Sequence, residues 1–514
     1  MPSAMIEPLE NRLFLSASTL ATPTSSATTD IALLYGPAKS GKTLAARRAD
    51  LADLGLTAAD APTAQPAAVR ATPFVSGKTL ATRRAAMGTY LLTSPDHRTL
   101  TYQNGTPFFY MADTAWHLFD KTNEKSARIY LENRAAKGFT VIQAEINARF
   151  RKGNAFGEKA FIDNDPLQPN EDYFKYVDYV VNYANTLGMW VALVPYDSSF
   201  SANGTFTKEN AWQYGRFLGR RYANAQIIWT LGGDVAGDNN PAGPDLWREA
   251  AAGIARGATN RDQSKLTMQY FPTQSQASTN WFQNDDWLDL DVLVSGHSAN
   301  QPNYNNVATE RAKAPTRPVM DGESIYEDIP YGLVRGGPRA TDWDARKTAY
   351  WALFAGAHGI TFGNNNVWQF ATDVATNEEF ASASWDVSLD SAGAFSMTYL
   401  KRLIISRPQI GRVPDQSLIT SDPRTGQSHV QAIRGADSSW AFFYTPTGVS
   451  VTVNLTKITG AQITYRWFSP RSGKSTAPTT VTKTASQTFN APTVGIANDW
   501  VLIIDDTSKA YGKP

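Results

Sequence analysis

"IIWTLGGDVAGDNNPAGPDLWREAAAGIARGATNRDQSKLTMQYF" (227–271) opens on a short apolar run, passes through an amphipathic stretch and closes on a second apolar run. The outer pieces, "IIWTLGGD" (227–234) and "LTMQYF" (266–271), have the length and β-branched or aromatic content of buried strands. Between them "DLWREAAAGIARGA" (245–258) carries apolar residues at helical spacing after an acidic first turn. Strand, helix, strand is the unit that builds a parallel sheet.

Working outward, the same alternation recurs. Six further runs read as strands: "PFFYMADT" (107–114), "TVIQAEI" (140–146), "WVALVPY" (190–196), "VLVSGH" (292–297), "RPVMDGE" (317–323) and "ITFGNN" (360–365). Helical segments fall between most of them, among them "EKSARIYLENRAAKG", "EDYFKYVDYVVNYANTLG", "KENAWQYGRFLGRRYA" and "ARKTAYWALFAGAHG". Several end on Gly just before the next strand, as a helix C-terminus should. Eight such units predict an α/β fold, a (β/α)8 TIM barrel over residues 89–405. Only the connection from the fifth strand to the sixth lacks a clear helix. Beyond it, "SWAFFYTP", "SVTVNLT", "ITYRWFSP", "QTFNAP" and "WVLIID" alternate with period two, which predicts an antiparallel β-sandwich accessory domain over 406–514.

Residues 1–88 differ in kind. They are rich in Ala, Thr and Ser, with one Tyr and no Trp, a composition that buries too little apolar area to offset chain entropy; they read as a leader and linker. Leu9, Glu10, Arg12, Leu13, Leu15 and Ser16 resemble the Leu-Glu-Pro-Arg-x-Leu-Leu segment near the start of many exported bacterial proteins, with Asn11 in place of the proline. The expectation is an exported protein, extracellular, periplasmic or attached to the cell surface. "GPAKSGKT" (36–43) satisfies the phosphate-binding loop pattern, but its words recur as "SGKTLATRRAA" from Ser76, where Thr72 replaces the first glycine. No strand with a Mg-binding Asp follows in the linker, so the motif lacks its structural context.

Composition narrows the function. Lys plus Arg number 48 against 47 Asp plus Glu, so no global field favours nucleic acid or an anionic membrane. The chain has no cysteine, which excludes disulfides, thiolate metal sites and a cysteine nucleophile. No apolar run reaches the ~18 residues of a transmembrane helix. With five His and no tight His/Glu spacing, neither a catalytic metal nor another cofactor is expected. Fourteen Trp and 21 Tyr suit contact with sugar rings as well as core packing.

In such a barrel the reacting groups stand at the C-terminal ends of the strands. Strand one ends in Asp113 with Trp116 and His117 beyond, strand two in Glu145 and Asn147, strand three in Tyr196 and Asp197. Strand four ends in Asp234, strand six in His297, strand seven in Asp321 and Glu323, and strand eight in Asn364 and Asn365 before Trp368. Glycoside hydrolysis needs one carboxylic acid to protonate the leaving oxygen and a second, ionised carboxylate across the sugar. Asp234 after "LGG" and Glu323 after the apolar "PVM" are the candidate pair, although a capping Asp in a turn or a surface Glu fits either residue alone.

"MADTAWHLF" (111–119), "AAKGFTVIQAEI" (135–146), "WTLGGD" (229–234), "SGH" (295–297), "DGESIYED" (321–328) and "GNNNVWQF" (363–370) together resemble the apiosidase-like barrels of glycoside hydrolase family 140. The downstream "WFSPRSG" (467–473) and "DWVLIID" (499–505) resemble the β-sandwich often attached to these barrels and named for collagen binding. The resemblance implies retaining hydrolysis, with Asp234 as acid/base and Glu323 as nucleophile, on a β-linked apiose of pectic rhamnogalacturonan II. It also implies a polysaccharide or oligosaccharide partner; the candidates for holding its glycone are Trp116, His117, Glu145, His297, Tyr326 and Trp368, with Asp113 and Asn147 as further substrate-binding residues of the rim. The competing class is a non-catalytic carbohydrate- or matrix-binding surface protein. A collagen protease has neither a zinc motif nor a serine elbow to support it.

Overall fold

The structure is a computed structural model that describes residues 88–147, 153–196, 204–372 and 378–514. The leader read over 1–88, its phosphate-loop-like segment at 36–43 and Asp197 lie outside the described residues, save Gly88 itself.

A short hairpin, β1 (Leu92–Thr93) and β2 (Leu100–Thr101), precedes eight parallel strands. These are β3 (Met111–Thr114), β4 (Val141–Glu145), β5 (Trp190–Val194), β6 (Ile227–Gly232), β7 (Met268–Phe271), β8 (Asp291–Val294), β9 (Val319–Glu323) and β10 (Gly359–Phe362). The order β7-β6-β5-β4-β3-β10-β9-β8 rolls the sheet around, and a parallel bridge between Gln269 and Leu290 joins its two ends. The helices between are α1 (Glu124–Ala136), α2 (Glu171–Thr186), α3 (Lys208–Arg221), α4 (Asp245–Thr259), α5 (Asn303–Arg311) and α6 (Asp342–Phe354), followed by α7 (Ala392–Ile405). Between β7 and β8 the chain makes only a single helical turn at Thr279–Phe282, which is why no helical period was legible there.

Side-chain alternation divides the strands cleanly. Ala112, Val141, Trp190, Ala192, Val194, Ile228, Phe271, Val292, Val294 and Met320 share one cluster that fills the barrel interior. Their neighbours Met111, Ile142, Val191, Leu193, Ile227, Trp229, Leu231, Met268, Leu293 and Val319 belong to another cluster, shared with the helices. The interior is thus a packed floor, and whatever stands above it at the strand ends faces the mouth.

After α7 the chain forms an antiparallel sheet of β11 (Val413–Pro414), β12 (Gln431–Arg434), β13 (Trp440–Thr445), β15 (Gln462–Phe468), β16 (Thr479–Thr482) and β18 (Trp500–Asp506), in the order β11-β12-β13-β18-β15-β16. The pair β14 (Val451–Asn454) and β17 (Ser486–Phe489) makes the second layer. Ala441, Phe443, Leu502 and Ile504 pack toward that layer with Val451, Val453 and Phe489. Trp440, Phe442, Tyr444, Val501 and Ile503 face the opposite way, into the barrel's helix layer. Both faces of β13 are therefore covered, and all six of its residues are buried.

Helix α6 takes the other side of this contact. Twelve of its residues are buried, Arg346 and Lys347 among them, because barrel strands lie on one side and the sandwich on the other. Tyr350 stacks on Tyr444 with ring centroids 4.6 Å apart. Arg346 meets Asp499 through two bonds, Nε to Oδ2 at 2.8 Å and Nη2 to Oδ1 at 3.0 Å, with neither side chain reaching solvent. Breaking such a pair costs about 3–5 kcal/mol, because it leaves Arg346 only the partly exposed Asp342 carboxylate, 2.6 Å from Nη1, as counter-charge. Asp499→Ala is accordingly expected to lower stability by that amount in chemical denaturation; a loss below ~1 kcal/mol would contradict the seam as described.

Candidate active site

Parity along each strand decides which rim residues enter the mouth. On β3, Ala112 points inward, so Asp113 points out, against α1. There it accepts from the Tyr130 hydroxyl at 2.6 Å and from Arg134 Nε at 2.7 Å, wholly buried. Burial raises the Asp113 carboxyl above its ordinary value, with Arg134 opposing. The placement of Asp113 on the sugar-binding rim is corrected: it ties strand to helix.

Glu145 pairs with Val194, whose side chain belongs to the interior, so Glu145 projects into the lumen above the floor. It is buried. Its Oε1 lies 3.4 Å from where a side chain on Gly233 would begin. Asn147, one turn of the chain later, donates its amide to Pro195 O at 3.0 Å and so braces the ends of β4 and β5.

The end of β6 is shaped by its glycines. Gly232 and Gly233 have φ of +91° and +111°, and Asp234 follows at +57° in the left-handed region that non-glycine residues rarely enter. A Cβ at Gly232 would meet Phe271 O at 2.3 Å. Three successive positive-φ residues turn the chain sharply at the strand end and leave Asp234 half-buried there.

Glu323 reaches the mouth by a different device. Strict alternation from Val319 and Asp321, which face the helices, would point it outward. The pairing of β8 with β9 runs Leu293 to Asp321 and then Val294 to Glu323, so Gly322 is an extra residue, a β-bulge. Because Val294 faces the interior, Glu323 does too. A Cβ at Gly322 would lie 2.6 Å from Val292 Cγ1 and 3.1 Å from the Phe271 ring. Gly322→Ala is therefore expected to displace Glu323 and, on the catalytic role proposed for it below, to lower kcat by roughly 10²-fold, the scale of a 1 Å misplacement. An unchanged kcat would show that the bulge does not set the carboxylate.

Two side chains hold Glu323. The Tyr326 hydroxyl donates to Oε2, and His297 Nε2 lies 3.2 Å from Oε1. Tyr326 and His297 pack on each other with centroids 4.6 Å apart. The other ring nitrogen of His297, Nδ1, is buried without a hydrogen-bond partner among the described residues. Asp321, on the outer face, accepts from Ser295 and from Asn303 Nδ2 at 2.9 Å, fixing the ends of β8 and β9 beneath them. Burial raises its carboxyl above the ordinary value.

An aromatic wall completes the mouth. The His117 ring lies over Trp368 at 5.8 Å and 30°, and Trp116 meets Phe271 edge-on at 5.2 Å. Asp120, which the reading of strand ends missed, accepts from His117 Nδ1 at 2.8 Å. Its spacing, three residues on within "WHLFD" at the start of a helical turn, was the available signal. The structure thus gathers Glu323, His297 and Tyr326 by direct contact, sets Glu145 beside the Gly233–Asp234 turn, and joins His117 to Trp368. Asp113 stands apart. Among the described residues no three His, Asp or Glu side chains come together as a metal ion would require.

Residues 94–410 match the family model described as "Apiosidase-like, catalytic domain", and 413–505 match one described as "Putative collagen-binding domain of a collagenase". A solved structure described as a glycoside hydrolase shares 30% identity, with a TM-score of 0.76 over 82% of this chain and 98% of its own. A Bacteroides vulgatus protein described as a family 5 glycoside hydrolase shares 28% identity, with a TM-score of 0.76 over 82% of this chain and 95% of its own. A comparison with curated proteins returned no match.

Proposed function

The chain belongs to the apiosidase-like family and is a glycosidase, and from that premise we propose a retaining mechanism with Glu323 as nucleophile and Asp234 as acid/base. The observation that carries the reading is the bulge that turns Glu323 inward onto Tyr326 and His297. Asp234 supports it from β6, three strands away around the closed barrel.

In the first step Glu323 attacks the anomeric carbon while Asp234 gives its proton to the departing glycosidic oxygen; the C–O bond breaks and a glycosyl ester forms on Glu323. In the second, the Asp234 carboxylate takes a proton from water, whose oxygen displaces Glu323 and releases the sugar with its original anomeric configuration. Tyr326 and His297 fix the rotamer of the attacking carboxylate, which keeps it aligned through both steps. The Trp368 and Trp116 rings suit the apolar side of a sugar.

The substrate we propose is a β-linked apiose at the end of a pectic side chain, as the family name suggests, acted on outside the cytoplasm. Export rests on the segment around Leu9 to Ser16. The test is to incubate the full chain with pectic side-chain oligosaccharides and a set of aryl β-glycosides, and to identify the released sugar by chromatography. Release of apiose supports the reading; release of another sugar replaces the substrate but keeps the mechanism. No release from any of them, together with retained binding to the oligosaccharides, would favour a non-catalytic binding protein.

A further inference from the structure

At the N-terminal end of the barrel, away from the carboxylates, four cationic or donor side chains converge with little to balance them. Arg98 sits in the turn between β1 and β2, Arg311 ends α5, His358 immediately precedes β10, and Arg412 lies just before β11, where the chain passes from barrel to sandwich. Arg98 Nη1 donates to Arg311 O at 2.6 Å. Arg311 in turn donates to Gly356 O at 3.3 Å and to Arg412 O at 3.4 Å. These are backbone carbonyls: among the described residues none of the three guanidinium groups forms a salt bridge. Among the described residues, Asp96 is the carboxylate whose charge bears on Arg311, and it is already bound by Ser94 and by the Arg98 backbone.

Among the described residues, two donors here are buried with no acceptor. Arg412 is 8% exposed and His358 1% exposed, and neither Arg412 Nη1 nor His358 Nε2 has a hydrogen-bond partner. The Leu100 N–H donates to His358 Nδ1 at 3.5 Å, so the ring proton stands on Nε2 and that atom is a donor. Burial, and then the charge of Arg412, pushes the His358 imidazole down to about 3. Burial and the neighbouring cations likewise disfavour the charged forms of Arg412 and Arg311. A buried guanidinium without a counter-charge is costly, and natural proteins pair such groups.

We propose that Arg98, Arg311, Arg412 and the Nε2–H of His358 form a binding site for a small tetrahedral oxyanion, such as phosphate or sulfate, which locks the seam between barrel and sandwich. Guanidinium forks match the geometry of phosphate and sulfate oxygens, and charge-assisted bonds of this kind are the stronger class of hydrogen bond. The site joins the β1–β2 turn, the barrel floor and the connection into the sandwich, so an anion there binds the folded chain and not the unfolded one.

The test is thermal unfolding of the full chain, titrated with inorganic phosphate and separately with sulfate, at ionic strength held constant with sodium chloride. Wild type is expected to gain melting temperature along a saturating curve with either anion. Arg412→Met is expected to melt at or above wild type without phosphate, because it removes an unbalanced buried charge, and to show no response to either anion. Arg98→Met, at the half-buried edge of the cluster, is expected to keep the fold and to shift the phosphate midpoint roughly ten-fold higher, which decides the matter should Arg412→Met fail to fold. A flat wild-type titration, or parallel curves for wild type and Arg98→Met, overturns the proposal. A response to phosphate but not sulfate narrows the anion and retains the site.

Discussion

Glu323→Gln is expected to lose hydrolysis by at least about 10³-fold, the scale seen when a covalent nucleophile is removed, equivalent to ~4 kcal/mol of transition-state stabilisation. The amide has the shape of the carboxylate and accepts the Tyr326 hydroxyl through its oxygen, so the fold should survive. Gln carries no negative charge with which to attack the anomeric carbon, and no glycosyl ester forms. The measurement is kcat on the substrate that wild type cleaves, with thermal unfolding run alongside. A kcat within ten-fold of wild type would remove Glu323 from the chemistry.

Asp234→Asn should behave differently, because an acid catalyst matters in proportion to how badly the leaving group needs a proton. General acid catalysis contributes about 10²–10⁴-fold. On a natural glycoside, whose leaving sugar alkoxide is strongly basic, the full loss is expected. On a nitrophenyl glycoside, whose leaving group departs without help, the first step should be nearly unaffected. The second step then limits, since no base activates water, and azide, which needs no deprotonation, should restore turnover and yield a glycosyl azide of retained configuration. Equal losses on both kinds of substrate with no response to azide would mean that Asp234 shapes the turn at the end of β6 and transfers no proton.

These outcomes bear on how far a sequence reaches. The eight apolar runs were legible because a parallel sheet covered on both faces demands continuous apolar strands. The floor of the barrel followed from them. Direction at the strand ends did not. Asp113 read as a rim residue because it closes an apolar run; only its alternation with Ala112 shows that it turns to Tyr130 and Arg134. Glu323 presents the opposite case. Period-two counting from Val319 would discard it, and a single inserted residue at Gly322, invisible in the letters, brings it in. The sandwich shows the same limit: β14 alternates visibly, with Val451 and Val453 buried between partly exposed neighbours, whereas β13 is covered on both faces and carries no alternation of burial. Helix α6 hides its role for that reason too, its charged residues being buried by a domain contact that no local pattern encodes.

The pairing of Tyr326 and His297 on one carboxylate was likewise beyond the sequence. Both were candidates for holding the sugar, His297 from its place at the end of a strand and Tyr326 only beside the family resemblance. Both stand against Glu323, and that contact bears on its orientation. Asp120 fixes the His117 ring beside Trp368 in a comparable way. Support of this kind separates a carboxylate that merely lies in a cleft from one held for a reaction.

The most direct test of the central claim is to trap the intermediate. A 2-deoxy-2-fluoro glycoside of the cleaved sugar, carrying an activated leaving group, slows release of the glycosyl ester and lets it accumulate. After digestion, mass spectrometry of the peptides should find one sugar equivalent attached to Glu323, in wild type and in Asp234→Asn alike. A label on another carboxylate, or inactivation-free turnover with inversion at the anomeric centre, would contradict the assignment of Glu323 as the nucleophile of a retaining glycosidase.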